Sequence, residues 1–248
     1  MVPPIWKEQR VVEAFEVDVK SRLHPHVLFS FLLNGAWNHA SAAGFSFQEL
    51  SERRLMWVLA KFQLSILRLP EWREEIIVET WGKRIERLYA LRDFRVSSPS
   101  GQKYASATGA WMILDRDSYR PQKLEQLMAS FPWEGGESEL EGSLKKVAES
   151  RNGQDRTHHR VRFSELDVNN HVNAANYLKW VMDSYPREIL ENRQLESAQI
   201  SFLAEATVDE QIAVHFERMD DQEINTIRRV GDPSDLCRAA IQWRKSSQ

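Results

Sequence analysis

The sequence predicts an α+β fold of two like halves, each a long helix wrapped by an antiparallel sheet. Three observations predict it. The order strand, long helix, consecutive strands occurs twice along the 248 residues. Both long helical segments, 25–43 and 172–185, carry an apolar face that needs a sheet to cover it. Between the halves, residues 134–155 lose periodicity and turn polar, as a linker does. The expected domains are 1–133 and 156–248, joined by 134–155.

The elements follow in order. "RVVEAFEVDV" (10–19) alternates apolar and polar residues and predicts a strand. From Pro25 to Ala43, Leu28, Phe31, Leu32, Gly35, His39 and Ala42 recur at steps of three and four, and Gly44 ends the helix. Strand-like runs follow at 55–67, 75–82, 87–96 and 103–115, with "SPSG" (98–101) as the turn between the last two. In the second half "RTHHRVRFS" (156–164) predicts the first strand. The helix then places Ala174, Leu178, Val181, Met182 and Tyr185 on one face. Strands are expected at 197–206, 210–219, 222–230 and 236–244, with "GDPSD" (231–235) as a turn.

Composition is that of an ordinary globular protein, 42% hydrophobic and 28% charged. A net charge of −3 gives no global attraction to nucleic acid. The single cysteine, Cys237, excludes an intramolecular disulfide and suits a reducing compartment. The opening "MVPPIWKEQR" has no apolar leader core, and every apolar run falls short of the roughly 18 residues a membrane span needs. A cytoplasmic protein is expected. Nine tryptophans suggest aromatic packing of the sheets.

The densest chemistry lies in "SELDVNNHVNAANYLKWVMD" (164–183). An acid, three asparagines and a histidine fall within seven positions, Asp167 to Asn173, at the mouth of the second helix. Capping needs only one such residue, and on that reading Asp167 or Asn170 is the cap. The fuller reading is chemical. A helix start offers N–H groups that polarise a carbonyl, and a carboxylate beside them serves as base or nucleophile. Asn169 orients that carboxylate or an attacking water, and His171 donates to it or moves a proton. A second acid, Glu205, lies amid small and apolar neighbours in "LESAQISFLAEATVDE". One histidine without a nearby cysteine, and His158–His159 on a separate strand segment, make no metal-ligand pattern.

These residues resemble the fatty acyl–acyl carrier protein thioesterases, whose pattern is Asp-x-Asn-x-His-Val-Asn-Asn followed by Tyr and Trp. Asp167, Asn169, His171, Val172, Asn173, Tyr177 and Trp180 match, and Ala174 departs at the second Asn. The first half resembles the family too, at Trp57-Val58, Pro70-Glu71-Trp72, Thr80-Trp81, Arg92-Asp93 and "GAWMILD" (109–115). The resemblance implies two tandem hotdog domains, an acyl-chain pocket in the first and a catalytic set of Asp167, Asn169, His171 and Glu205 in the second. It implies hydrolysis of the acyl thioester, by attack of Asp167 through an anhydride or by water activated by Glu205 or Asp167. Ala206 stands where plant members have a cysteine, which excludes a cysteine mechanism there.

The implied partner is an acyl carrier protein bearing a fatty acyl chain, with no nucleic acid, membrane span, cofactor or metal; a homodimer is compatible. Carrier proteins are acidic, so Lys83, Arg84 and Arg87 are the expected docking residues. Leu33, Trp37 and Trp57 are expected to line the acyl pocket. Two alternatives stand beside this. Acyl-CoA thioesterases of hotdog type show Asp-x-x-Gly-His, and here Asn170 holds the Gly place. A non-catalytic acyl-binding protein would not need both Asp167 and Glu205.

Overall fold

A computed structural model describes residues 2–133, 135–140, 142, 144–150, 153–219, 222–232 and 234–245. The chain divides into two compact units between Leu144 and Lys145, inside the polar stretch 134–155.

The first unit contains strands β1 (Ile5–Val11), β2 (Leu55–Ile66), β3 (Glu75–Glu86), β4 (Tyr89–Ser97) and β5 (Lys103–Asp115) and helices α1 (Pro25–Ala42), α2 (Phe47–Glu52) and α3 (Leu124–Leu127). All pairings are antiparallel, in the order β1, β3, β4, β5, β2. Pro25 suits the first helical position, where its missing N–H is no loss. Leu28, Phe29, Phe31, Leu32, Gly35, Ala36 and His39 form the buried face of α1. Gly35 lets the helix come close to β3: a Cβ there would lie 3.6 Å from Thr80 and 3.8 Å from Val78. Beneath the helix the Phe29 and Phe62 rings meet at 4.4 Å. Full burial of one such side chain is worth about 1.5–3 kcal/mol.

Part of the polar stretch packs on this sheet. A Cβ at residue 135 would fall 2.2 Å from the Trp81 Cβ, so only glycine fits at Gly135. The buried Asp93 carboxylate accepts from the Thr108 hydroxyl at 2.6 Å and the Glu139 N–H at 3.0 Å. Glu139 in turn binds Lys103 at 2.6 Å, and Arg95.

The second unit contains β6 (Gln154–Arg160), β7 (Arg193–Phe202), β8 (Gln211–Met219), β9 (Gln222–Arg229) and β10 (Asp235–Lys245), with α4 (Ala174–Asp183) and α5 (Arg187–Asn192). The antiparallel order is β7, β10, β9, β8, β6. Helix α4 buries Ala175, Tyr177, Leu178, Trp180, Val181 and Met182. Val147, from the polar stretch, packs with Ile224 and Ala240. Each unit is thus a helix against a five-stranded antiparallel sheet, the architecture the sequence predicts.

Several boundaries differ from expectation, and three of them flank the loops ahead of α1 and α4 or the segment after β7. The strand expected at 10–19 ends at Val11, and Ala14–Glu16 is a 3-10 turn. The apolar alternation continues past the strand at Phe15, Val17 and Val19, but Phe15 and Val19 face solvent. The strand expected at 156–164 likewise stops at Arg160, before a 3-10 turn at Phe163–Glu165. Strand β7 ends at Phe202, so Glu205 stands in the loop after it and not within it. Pro233, in the expected turn 231–235, lies outside the described residues. Cys237 lies on β10, an interior strand that pairs on both sides.

Candidate active site

The loop ahead of α4 is built by hydrogen bonds among its own residues. The Asp167 N–H donates to the His171 carbonyl at 2.8 Å, closing the turn. Asn170 takes φ +64°, a left-handed conformation that Asn tolerates better than most residues. Asp167 Oδ1 accepts from the Asn169 N–H at 2.8 Å and the His171 N–H at 3.3 Å. The helix cap is Asn173, whose Oδ1 accepts from the Ala175 N–H at 3.0 Å. Neither Asp167 nor Asn170, the two expected caps, does that work. Asp167 clamps the loop.

The loop is tied to the segment after β7. The Val172 N–H donates to the Ala206 carbonyl at 2.9 Å, and the Tyr177 hydroxyl bonds the Ala206 backbone. Burial pushes the Tyr177 hydroxyl far up, so it stays neutral. Glu205 is thereby brought against the loop, with its Oε2 at 3.1 Å from His171 Nε2. The Arg229 guanidinium binds the Glu205 carbonyl and, at 2.9 Å, the Glu210 carboxylate. The geometry joins Asp167, Asn169, His171 and Glu205 in one place. Asp167 is exposed, while Asn169, His171 and Glu205 are half-buried.

A second copy of this loop precedes α1. Asp18 N–H to Arg22 carbonyl is 2.8 Å, and Asp18 Oδ1 accepts from the Lys20 N–H at 2.8 Å and the Arg22 N–H at 3.0 Å. Ser21 has φ +60°, matching Asn170. Leu23 N–H to Pro70 carbonyl, 2.8 Å, matches Val172 to Ala206. The backbone is repeated, but the chemistry is not. Lys20 replaces Asn169, Arg22 replaces His171, and the buried Leu69 falls where Glu205 does. Arg22 turns onto Asp18, with Nε at 2.9 Å and NH2 at 2.7 Å from Oδ2. Among the described residues Asp167 makes no ion pair. The clamp on Oδ1 is therefore common to both loops, whereas an aspartate without a cation, in a loop whose histidine pairs with a glutamate, belongs to the second alone.

The sequence contains a signal of this duplication that local periodicity hides. Glu16-Val17-Asp18-Val19 and Glu165-Leu166-Asp167-Val168 share the pattern Glu-x-Asp-Val. Its glutamate matters in the second loop. Glu165 is buried and accepts from His159 Nε2 at 2.8 Å, the Arg162 N–H at 2.7 Å and Trp180 Nε1 at 3.0 Å. Burial acts to raise its carboxyl, but the bonds from His159, the Arg162 N–H and Trp180 outweigh it and hold the group below the usual carboxylate range.

The other expected site residues scatter. Lys83 turns inward, 3.1 Å from the Asp93 carboxylate and 2.8 Å from the Leu140 carbonyl, so its charge is spent inside the unit. Arg84 is exposed and bridges to Glu86 at 2.7 Å, and Arg87 is exposed in the β3–β4 turn. Leu33 is half-buried on α1. Trp37 is 39% exposed. Trp57 is half-buried against Phe45, Leu50 and Phe131 and donates to the Phe45 carbonyl at 3.1 Å. Cys237 is buried far from water, and burial pushes its thiol well up, so it is no thiolate.

The chain is similar to known proteins over nearly its whole length. The acyl-ACP thioesterase N-terminal domain family matches residues 4–130, and the acyl-ACP thioesterase C-terminal domain family matches 148–245. The chain is 26% identical to the chloroplastic oleoyl-acyl carrier protein thioesterase of Coriandrum sativum, over 98% of its own length and 78% of the relative's. It is 26% identical to an oleoyl-acyl carrier protein thioesterase of Arabidopsis thaliana, over 97% and 76%. An acyl-ACP thioesterase structure from Bacteroides thetaiotaomicron superposes with a TM-score of 0.88 at 24% identity, covering 97% of this chain and 98% of the other. The 12:0-ACP thioesterase from Umbellularia californica gives 0.87 at 21%, covering 99% of both. These two structures establish the fold as tandem hotdog domains. With both domain families matched in order over nearly the whole length, the chain belongs to the acyl-ACP thioesterase family.

Proposed function

We propose that the chain hydrolyses the thioester of a fatty acyl–acyl carrier protein, releasing free fatty acid and ending chain elongation. Asp167, Asn169, His171 and Glu205 carry the chemistry, and the first unit takes the acyl chain through Leu33 and Trp57. The observation that carries this proposal is the contrast between the duplicated loops. The second loop alone pairs an aspartate that has no cation with a histidine held by a carboxylate, 3.1 Å away. Glu205 or Asp167, positioned by Asn169 and His171, takes a proton from water as the oxygen attacks the thioester carbonyl; the tetrahedral intermediate then breaks its C–S bond, and the departing thiolate takes up that proton. Alternatively Asp167 Oδ2 attacks, the C–S bond breaks to release the thiolate, and water opens the resulting anhydride, regenerating the carboxylate and supplying the proton that the thiolate takes up. In either route an N–H at the start of α4 holds the oxyanion.

Arg84 and Arg87 remain as docking residues for an acidic carrier, and Lys83 drops out because its ammonium is bound to Asp93. The buried, unpaired Cys237 suits a reducing, cytoplasmic setting. The test is kcat/KM on matched acyl-carrier and acyl-CoA thioesters of graded chain length, at rising salt. The carrier form is expected to win, by a margin that shrinks as charges are screened over about 8–10 Å. Arg84→Glu with Arg87→Glu should shrink it as well. Equal rates on both donors at low salt would assign the chain to acyl-CoA.

A further inference from the structure

The duplicated loops differ at one more place, away from the reacting groups. In the first unit Arg10 stands over the Phe31 ring at 4.7 Å, and the Arg10 guanidinium reaches Glu8 at 2.8 Å. Glu16, there, closes its 3-10 turn by accepting from the Glu13 N–H at 2.8 Å. In the second unit His159 and Trp180 take the places of Arg10 and Phe31, with ring centroids 5.0 Å apart. Both now turn their N–H groups onto Glu165, at 2.8 and 3.0 Å. The same residue's carbonyl accepts from the Asn173 N–H at 2.9 Å and from Asn176 Nδ2 at 2.9 Å. One residue therefore binds β6, the 3-10 turn, the helix cap and the body of α4. It stands two positions ahead of Asp167.

We propose that Glu165 is a positioning residue for the hydrolysis. Through His159 and Trp180 it fixes the helix mouth, and with it Asp167 and His171, in reacting geometry. The inference rests on the function proposed above. Its physical content is preorganisation: a buried carboxylate with three donors cannot shift without breaking charge-assisted bonds, so the loop it anchors cannot drift either. Catalysis is steep in such drift, because misplacing reacting groups by about 1 Å costs on the order of 100-fold. The first loop needs no such anchor, and its glutamate is less buried. A role in folding alone would predict the same network in both loops, since the backbone of both is the same.

The experiment compares Glu165→Gln, Glu165→Ala and Trp180→Phe with the wild type, by turnover on acyl-carrier thioester and by amide hydrogen exchange of residues 164–176. Gln keeps the shape and an acceptor for Trp180 but loses the charge. Phe keeps the ring and loses only Nε1–H. The expected order of kcat is wild type, Trp180→Phe, Glu165→Gln, Glu165→Ala. The last should fall about 100-fold, with KM within about twofold and rates taken well below each melting temperature. Exchange should quicken in 164–176 and stay unchanged in β8, β9 and β10. Unchanged kcat and unchanged local exchange in Glu165→Ala would overturn the proposal. If the wild type turns over no thioester at all, the proposed function fails instead, and the exchange arm still decides whether Glu165 fixes the loop.

Discussion

His171 Nε2 lies 3.1 Å from Glu205 Oε2, across two segments of chain joined by the bond from the Val172 N–H to the Ala206 carbonyl. Both side chains keep a quarter to a third of their surface in water, at 25% and 35%. A pair so exposed adds at most about 1 kcal/mol to stability. Its value is orientation of the imidazole. Glu205→Gln should therefore leave the melting temperature almost unchanged and lower kcat by about 10²–10⁴-fold, the range for a disabled general base. Thermal melts beside steady-state rates check this. A large melting shift with little loss of rate would mean that the pair is structural.

Asp167 and Asp18 offer a paired test of what the clamp does and what the free oxygen does. Asp167→Asn retains an Oδ1 that accepts from the Asn169 and His171 N–H groups, so stability should hold while turnover falls at least 100-fold. Asp18→Asn retains the same clamp but loses the Arg22 ion pair. It should cost about 1–2 kcal/mol of stability and leave kcat within about twofold. Burial acts to raise the Asp18 carboxyl, but its bonds from Arg22 and the backbone lower it below its ordinary value. Its contribution is thus present above the unfolded pKa and lost as pH falls through the folded one, and the two proteins should converge in acid. Urea unfolding across pH measures this. Equal loss of turnover in both variants would remove the distinction between the loops.

The helices, the repeat and the cluster at 167–173 were legible because each depends on local pattern: an apolar face, an element order, a density of hydrogen-bonding side chains. Misassignments arose where local pattern and tertiary role part. Phe15 and Val19 alternate like strand residues but stand in solvent on a loop, so the first copy of the loop was hidden inside a strand. Lys83 looked like a surface charge because nothing local shows that Asp93, ten residues on, is buried opposite it. Nothing in the local sequence singles out Glu165. Its two long-range partners, His159 and Trp180, lie on a strand and a helix that only the fold brings together.

Cys237 should be dispensable. It lies buried on an interior strand, with its thiol pushed up chiefly by burial and further by Asp235. A thiol that stays protonated and out of water is a poor nucleophile. Cys237→Ala should keep kcat within about twofold and cost about 1 kcal/mol for a small void. The native wild type should resist iodoacetamide and react only in denaturant. Rapid alkylation of the folded protein with loss of turnover would place the thiol near the reacting groups after all.

His39 sets an acid limit on the first unit. It lies fully buried on α1, with Nε2 at 2.9 Å from the Pro3 carbonyl and Nδ1 at 3.0 Å from the Arg92 guanidinium. Arg92 can only donate, so Nδ1 accepts and Nε2 carries the proton to Pro3. Burial and then the Arg92 charge lower its pKa from 6.5 to about 4. A base with a depressed folded pKa is neutral in the fold while the unfolded chain takes up a proton. Stability from His39 is therefore complete above about 6.5 and declines as pH falls towards about 4. The shift corresponds to about 3 kcal/mol across that window. His39→Gln can donate to Pro3 and accept from Arg92 without titrating, so it should flatten this part of the stability–pH curve. Urea unfolding of both proteins between about pH 7 and pH 4.5 decides it. Parallel curves would show that His39 takes up its proton in the fold as readily as in the unfolded chain.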